Sequence, residues 1–192
     1  MIGEVFLLLV KQLNAYLNSR TGWSPEQAAE VRVTLPDGEL MDPIRFKLGA
    51  VTALLINLEE ETTLRGADAY RRTQGDGASV RVQPEIRMAL YVLFVARFKQ
   101  YDEGLRYLSL IIQYFQGHRL LDHQNAPDLS PKIDKLVCEL VTLPFSEQNE
   151  VWNALRTTYH PSVLYKVNLV VFRDDEEEVV PEVTETVLEA TP

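Results

Sequence analysis

Residues 86–116 read IRMALYVLFVARFKQYDEGLRYLSLIIQYFQ, and the other segments are predicted to pack around this stretch. Its first part, residues 86–98, contains no Gly or Pro and is rich in aromatic and branched side chains, which favours a strand. Its second part, residues 101–116, repeats apolar side chains at spacings of three and four, which is the period of a helix. Lys99 and Gln100 form the predicted corner between the two elements.

The predicted strand is apolar on both faces. Alternate side chains from Ile86 to Phe98 share one face, and those from Ala89 to Val95 share the other. A strand of this kind lies in the middle of a sheet and is covered on both sides. We therefore expect residues 86–98 to form the central strand of the sheet.

The predicted helix has an apolar surface wider than one stripe. One face is predicted to consist of Tyr101, Leu105, Leu108, Ile112 and Phe115, widened by Tyr107, Leu110, Ile111 and Tyr114. Asp102 is the predicted cap at the start, and Gly117, in the left-handed conformation, is expected to end the helix. Such a helix must be covered on more than one side. The cover is either the chain's own core or that core together with a partner subunit.

The remaining pattern predicts a single α/β (α+β) domain over residues 1–173, with a mixed sheet of about five strands and three helices packed on it. The 19 residues 174–192 are predicted to be a flexible acidic tail. Ser146 is the expected cap of the last helix. Besides 86–98 and 101–116, the predicted elements are a helix at 2–18, strands at 30–35, 51–58, 132–143 and 163–172, and a helix at 147–157.

The charge of the chain is concentrated in its tail. The formal net charge is −9, and residues 174–192 contain eight acidic side chains and no basic one. The rest of the chain is therefore nearly neutral, which argues against nucleic-acid binding. The single Cys138 cannot form an internal disulfide, which fits a cytoplasmic protein. No stretch has the roughly 20 apolar residues of a membrane span, and the start of the chain does not resemble a signal peptide.

Three consecutive acids, Glu59, Glu60 and Glu61, follow the predicted strand 51–58. Three adjacent charged side chains do not fit a buried strand, so they mark the place where the chain leaves the core. They are interpreted as a solvated charge run or a salt-bridging patch at a subunit contact. The polar residues 62–83 that follow are expected to form a long mobile loop. Residues 118–131, which contain Pro127 and Pro131, are also expected to form a polar loop.

Catalytic signatures are absent from the sequence. There is no phosphate-binding loop, no serine elbow and no paired-cysteine zinc motif. His118, His123 and His160 could bind a metal ion only if the fold united them, and the Glu59–Glu61 run could bind a hard cation only with further ligands. Cys138 is interpreted as a core residue. We predict no enzyme, no cofactor and no metal site.

Several motifs together resemble a known family. They are LNAYL at 13–17, LLINLEEE at 54–61, LYVLFVARF at 90–98, YDEGLRYLSLIIQYFQ at 101–116 and NEVWNALRTTYHPSVLYKV at 149–167. In order and spacing they are similar to the cap, or tail-terminator, proteins of extracellular contractile injection systems. These systems include the Photorhabdus virulence cassettes and the antifeeding prophage. The resemblance spans roughly residues 2–173, without the loop 62–83 and the tail.

The resemblance implies a structural protein with a phage tail terminator-like fold. Such proteins form a ring, expected to be hexameric, on the baseplate-distal end of the inner tube and sheath. The ring stops the growth of both and joins them. The implied partners are further copies of this chain, the tube protein and the sheath protein, with assembly in the cytoplasm and no membrane. The alternative is a baseplate-side adaptor of the same particle that recruits a partner through its acidic tail.

Contacts in such a particle would be made by charged, polar and aromatic side chains near the edges of the domain. Trp152 would suit a contact if exposed and is otherwise a core residue. The predicted contact residues are Glu59, Glu60, Glu61, Arg65, Arg71, Arg72, Arg106, Gln113, Trp152 and His160.

Overall fold

The computed structural model describes residues 1–20, 31–38, 44–61, 71–73, 79–81, 86–172 and 178–179. Three helices and nine strands lie in these ranges. They are α1 (Ile2–Arg20), β1 (Val33–Thr34), β2 (Ala50–Glu60), β3 (Arg71–Thr73), β4 (Ser79–Arg81), β5 (Ile86–Arg97), α2 (Tyr101–Gly117), β6 (Leu120–Asp122), β7 (Lys135–Val141), α3 (Phe145–Ala154), β8 (Ser162–Phe172) and β9 (Glu178–Val179).

Six strands form one mixed sheet in the order β1-β2-β5-β8-β7-β6. Strand β1 runs parallel to β2, and the other neighbours are antiparallel. Strands β3, β4 and β9 form a second, three-stranded antiparallel sheet. The predicted class, a mixed sheet with three helices, is confirmed, with one strand more than expected in the main sheet.

Strand β5 lies inside the sheet, and its two faces contribute to two hydrophobic clusters. Leu90, Val92 and Phe94 are buried against α1 and α2. Leu93 and Val95 face the other way and pack with Trp152 of α3. The central position predicted for this strand is confirmed, because both apolar faces are covered.

Helix α2 has the predicted length but buries a different face. Its buried residues are Gly104, Tyr107, Leu108, Ile111, Tyr114 and Phe115. Tyr101, Leu105 and Ile112, which were expected in the core, are 66%, 43% and 37% exposed. Gly104 faces Ala96 and Phe98, where an added Cβ atom would make an ordinary van der Waals contact of 3.5 Å with Phe98 Cδ2.

The predicted caps of α2 and α3 are wrong. Gln100 is the N-cap of α2 and makes no side-chain cap bond, so Asp102 lies within the first turn. Gly117 is the last helical residue, and the C-cap is His118 with a negative φ of −127°. Helix α3 begins at Phe145 after the N-cap Pro144, which places Ser146 inside the helix.

Helix α1 packs beside α2 and fixes the edge strand β1. The side-chain amide of Asn14, a residue of α1, makes hydrogen bonds to the backbone through both its nitrogen and its oxygen. Its Nδ2 donates to Val10 O (2.8 Å) and Val33 O (2.9 Å), and its Oδ1 accepts from the N–H groups of Arg32 and Val33, each at 2.9 Å. Strand β1 is only two residues long, shorter than the predicted strand 30–35, and Glu30 lies outside the described residues.

Short strands occupy segments for which we predicted loops. Strands β3 and β4 lie within 62–83, and β6 lies within the segment 118–131. Strand β9 belongs to the predicted acidic tail and pairs with β4. The other residues of the predicted loop 62–83 and most of the tail lie outside the described ranges, so their predicted mobility stays a prediction.

Candidate contact surface

The acidic run at the end of β2 stays within the sheet. Glu59 and Glu60 are strand residues paired with Ala89 and Met88 of β5. Glu61 follows the strand, and its N–H donates to Arg87 O at 2.8 Å. The run therefore marks where β2 leaves the core, as predicted, but the strand continues two residues beyond the predicted end at residue 58.

Glu59 is paired within its own chain. Its Oε2 accepts hydrogen bonds from the Tyr91 hydroxyl at 2.6 Å and from Lys166 Nζ at 2.8 Å. Lys166 Nζ also lies 5.4 Å from the centroid of the Tyr91 ring. The three side chains come from β2, β5 and β8, which are adjacent in the sheet. Glu59 therefore has partners within its own chain, and its expected contact with a neighbouring subunit stays a prediction.

These contacts favour the charged forms of Glu59 and Lys166. The hydrogen bond from Lys166, followed by that from Tyr91, lowers the pKa of Glu59. The same contact with Glu59 raises the pKa of Lys166 and that of Tyr91. The ion pair is consequently formed at neutral pH, where the carboxylate and the ammonium are both charged.

Replacing Glu59 by Gln should destabilise the fold at neutral pH more than in acid. A carboxyl with a depressed pKa in the folded state contributes stability above its unfolded pKa, 4.5, and that contribution is lost as the pH falls through the folded value. Urea unfolding of the wild type and Glu59→Gln at pH 7 and pH 3 measures the difference. Glu150→Gln, on an exposed carboxylate of α3, is the matched control. A Glu59→Gln effect that is independent of pH would contradict this assignment.

A second polar group lies on the neighbouring strands. Arg119 donates to Glu139 Oε1 at 2.6 Å, and Asn168 Nδ2 donates to Glu139 Oε2 at 3.0 Å. Glu139 is the register partner of Lys166. The sequence analysis did not predict Tyr91, Lys166 or Glu139 as site residues. The alternation of these side chains with apolar residues along their strands was the signal that could have identified them.

The other predicted contact residues are dispersed over the domain. Arg106 and Gln113 are exposed on α2. Arg71 and Arg72 lie in β3, where only the backbone is described, and Arg65 lies outside the described residues. Within the predicted set, the structure brings Trp152 and His160 together, with ring centroids 6.1 Å apart.

Trp152 and His160 belong to an aromatic cluster with Phe46. The ring centroids are 6.2 Å apart for Phe46 and Trp152, and 5.6 Å apart for Phe46 and His160. Trp152 is 5% exposed, so its interpretation as a core residue is confirmed. Burial, followed by the charge of Arg97, lowers the pKa of His160 and keeps its imidazole neutral.

The residues considered for catalysis or metal binding do not form a common site in the described part of the chain. Cys138 is buried, and burial raises its pKa to about 12, so its interpretation as a core residue is confirmed. His118 stacks on Tyr114 with ring centroids 4.5 Å apart. Across the described residues, no group of three or more His, Cys, Asp or Glu side chains could hold a metal ion. None of the helices in the described ranges has the length and apolar character that a membrane crossing needs.

Comparison with known proteins identifies relatives of the whole chain. The family model for the Pvc16 N-terminal domain matches residues 4–186. The sheath/tube terminator of PVC, an extracellular contractile injection system, in its extended state is similar with a TM-score of 0.63 and 16% identity. That match covers 100% of this chain and 64% of the terminator.

A second solved structure has the same relation to the chain. The tube-terminating cap of the anti-feeding prophage is similar with a TM-score of 0.58 and 17% identity, over 97% of this chain and 60% of the cap. The chain thus spans less than two thirds of the length of both proteins. Among curated proteins none matches the sequence. At 16% and 17% identity, the structural similarity shows that this chain shares the fold of these two proteins.

Proposed function

We propose, because this chain belongs to the Pvc16 N-terminal domain family, that it is a structural cap of a contractile injection system. The family expected from the sequence motifs is confirmed by this match. In the proposed role the chain sits on the baseplate-distal end of the inner tube and sheath, ends their growth and joins them. The role is structural and includes no catalytic step and no cofactor.

The observation that carries this proposal is the agreement of the fold over nearly the whole chain. The two similar structures are a sheath/tube terminator and a tube-terminating cap, and they cover 100% and 97% of this chain. A separate catalytic domain or binding module would match only part of the chain. The agreement instead extends over α1, the main sheet, α2 and α3, which together form the body of the domain.

We infer that the chain acts as a ring of copies, with six as the expected number. Closure of a ring requires that one surface patch meets a different patch on the next copy. Exposed apolar side chains support a contact with another copy, which would bury them. Tyr101, Leu105 and Ile112 lie exposed along α2, and Phe145 is 90% exposed. The further proposed partners are the tube and sheath proteins. Assembly would take place in the cytoplasm, before the chain becomes part of the particle.

Charge reversal at Glu60 should weaken assembly. Glu60 is exposed at the end of β2, and a lysine there places a positive charge in the surface expected to meet a neighbour. We expect fewer capped particles for Glu60→Lys than for the control Glu150→Lys on α3, counted by electron microscopy. Circular dichroism and thermal unfolding check that both variants fold. Equal numbers of capped particles would remove Glu60 from the proposed contact.

Electron microscopy of particles purified with a labelled copy of this chain tests the function itself. Label at one tip only, distal to the baseplate, supports a cap and reveals the symmetry of the ring. Label at the baseplate would instead favour the adaptor that recruits a partner through its acidic tail. Particles without label would overturn both assignments.

A further inference from the structure

An aromatic groove lies where β5 ends and α2 begins. It has a volume of about 370 Å³, and its lining includes Leu48, Phe98, Tyr101 and Tyr159. Three of these side chains extend into solvent, with Tyr101 66%, Tyr159 58% and Leu48 49% exposed. A concave surface with exposed aromatic rings is typical of a place where a partner segment binds.

The groove has a basic rim. Arg97 is part of the lining, and its Nη1 donates to Phe46 O at 2.6 Å. Lys47 and Lys99 are exposed and are direct chain neighbours of lining residues. The lining contains no carboxylate, although Asp102 and Glu103 follow in the first turn of α2. An acidic segment that also carries apolar side chains would complement this surface.

The C-terminal part of this chain has that composition. Residues 174–192 contain eight acidic side chains and no basic one. The acids after Val179 are interleaved with Val183, Val187 and Leu188. Carboxylates in this segment can pair with the basic rim, while its apolar side chains contact the tyrosine rings.

The direction of β8 places the start of this segment far from the groove of its own chain. Ser162 pairs with Val95 beside the groove, whereas Phe172 pairs with Ile86 at the far end of β5. The 11 residues of β8 span about 36 Å at roughly 3.3 Å per residue. The acidic segment therefore begins at the end of the sheet opposite the groove. A second copy placed head to tail would bring its groove to that end.

Because Glu178 and Val179 pair with β4 as strand β9, we propose that the groove binds residues 180–192, the part of the acidic segment that follows β9, from a second copy of this chain. The contact is heterologous, because the groove of one copy meets the tail of the next, and this is the type of contact that closes a ring. The proposal rests on the ring of the proposed function and names the surfaces that meet in it.

Photo-cross-linking in the full chain tests the contact. Benzoylphenylalanine replaces Tyr101 in the groove or, as the matched control, Phe145 on α3, which is exposed but does not line the groove. Copies labelled with ¹⁴N and ¹⁵N are mixed, so that mass spectrometry separates links within a chain from links between chains. We expect links from position 101 to residues 180–192 of a differently labelled copy, and none to this segment from position 145.

Binding of a synthetic peptide gives a measurement that does not require a ring. A fluorescent peptide of residues 180–192 is titrated onto the full chain and followed by anisotropy. The double variant Lys47→Glu and Lys99→Glu should bind the peptide at least about tenfold more weakly than the wild type. Lys135→Glu, on an exposed lysine at the opposite end of the sheet, should bind it nearly as well as the wild type.

The two measurements separate this proposal from the proposed function. Links from position 101 within the same chain, to another segment or to another protein would overturn the groove contact, even if a capping ring is seen. Absence of peptide binding, or equal binding by the groove variant and the wild type, would also overturn it. Peptide binding that depends on the groove, in a chain located away from the tube end, would support the contact and reject the cap.

Discussion

Replacement of Phe94 by Ala should lower the free energy of unfolding by roughly 3–5 kcal/mol, the range for buried Phe→Ala changes. Phe94 is fully buried on β5, with its ring centroid 5.8 Å from that of Phe115 and 6.1 Å from that of Tyr165. It joins the central strand to α2 and β8, so its removal leaves a cavity between three elements. Urea unfolding followed by circular dichroism measures the loss.

Phe145→Ala is the matched control for this experiment. The same atoms are removed, but Phe145 is 90% exposed at the start of α3, so we expect a change of about 0.5 kcal/mol or less. The Phe145 variant should instead affect contacts with other subunits, if α3 makes any. A loss below about 1 kcal/mol for Phe94→Ala would mean that the site collapses around the cavity or that β5 is not the packed centre.

Replacement of Asn14 by Ala should cost roughly 2–4 kcal/mol, since four hydrogen bonds are lost and the partly buried backbone groups of β1 lose their partners. The Asn14 amide donates to Val10 and Val33 and accepts from Arg32 and Val33. The three bonds to Arg32 and Val33 hold β1 against α1, while Val51 N–H donates to Arg32 O at 2.7 Å on the other side. Urea unfolding gives the total cost, and hydrogen exchange of the Val33 amide reports the release of β1.

Asn149→Ala separates this effect from helix propensity. Asn149 is an exposed residue of α3, so the change from Asn to Ala favours the helix in the same way at both positions. We expect Asn149→Ala to be neutral or slightly stabilising. If Asn14→Ala behaved like the control, the amide bonds to β1 would not contribute to stability.

Patterns within one segment predicted the elements well. Apolar side chains on both faces of residues 86–98 placed β5 inside the sheet, and the apolar period over 101–116 predicted α2 to within one residue of its end. The buried face of α2 was not predictable, because apolar side chains occur on almost every side of the helix. The position of β5 beneath the helix decides the buried face, on which Gly104 lies beside Ala96 and Phe98.

Short elements escaped prediction for a related reason. Strand β6 has three residues, Leu120–Asp122, and exists through its pairing with β7. Three residues are too few for a periodic signal, so the polar surroundings predicted a loop. The same holds for β3 and β4, which pair with each other, while β4 also pairs with β9.

The main elements could be read from the order of residues, because apolar periodicity is a property of neighbouring positions. The family could be read from the resemblance of several motifs in their order and spacing. The hydrogen-bond partners of polar side chains could not be read from the order of residues. Glu59 meets Tyr91 and Lys166 across 32 and 107 positions, and Asn14 meets Val33 across 19. Such pairs depend on strand register and on the docking of α1 against the sheet, which form only when the whole core is packed. Tertiary structure therefore decided that Glu59 is paired within the chain, and it brought the aromatic groove together from separate segments.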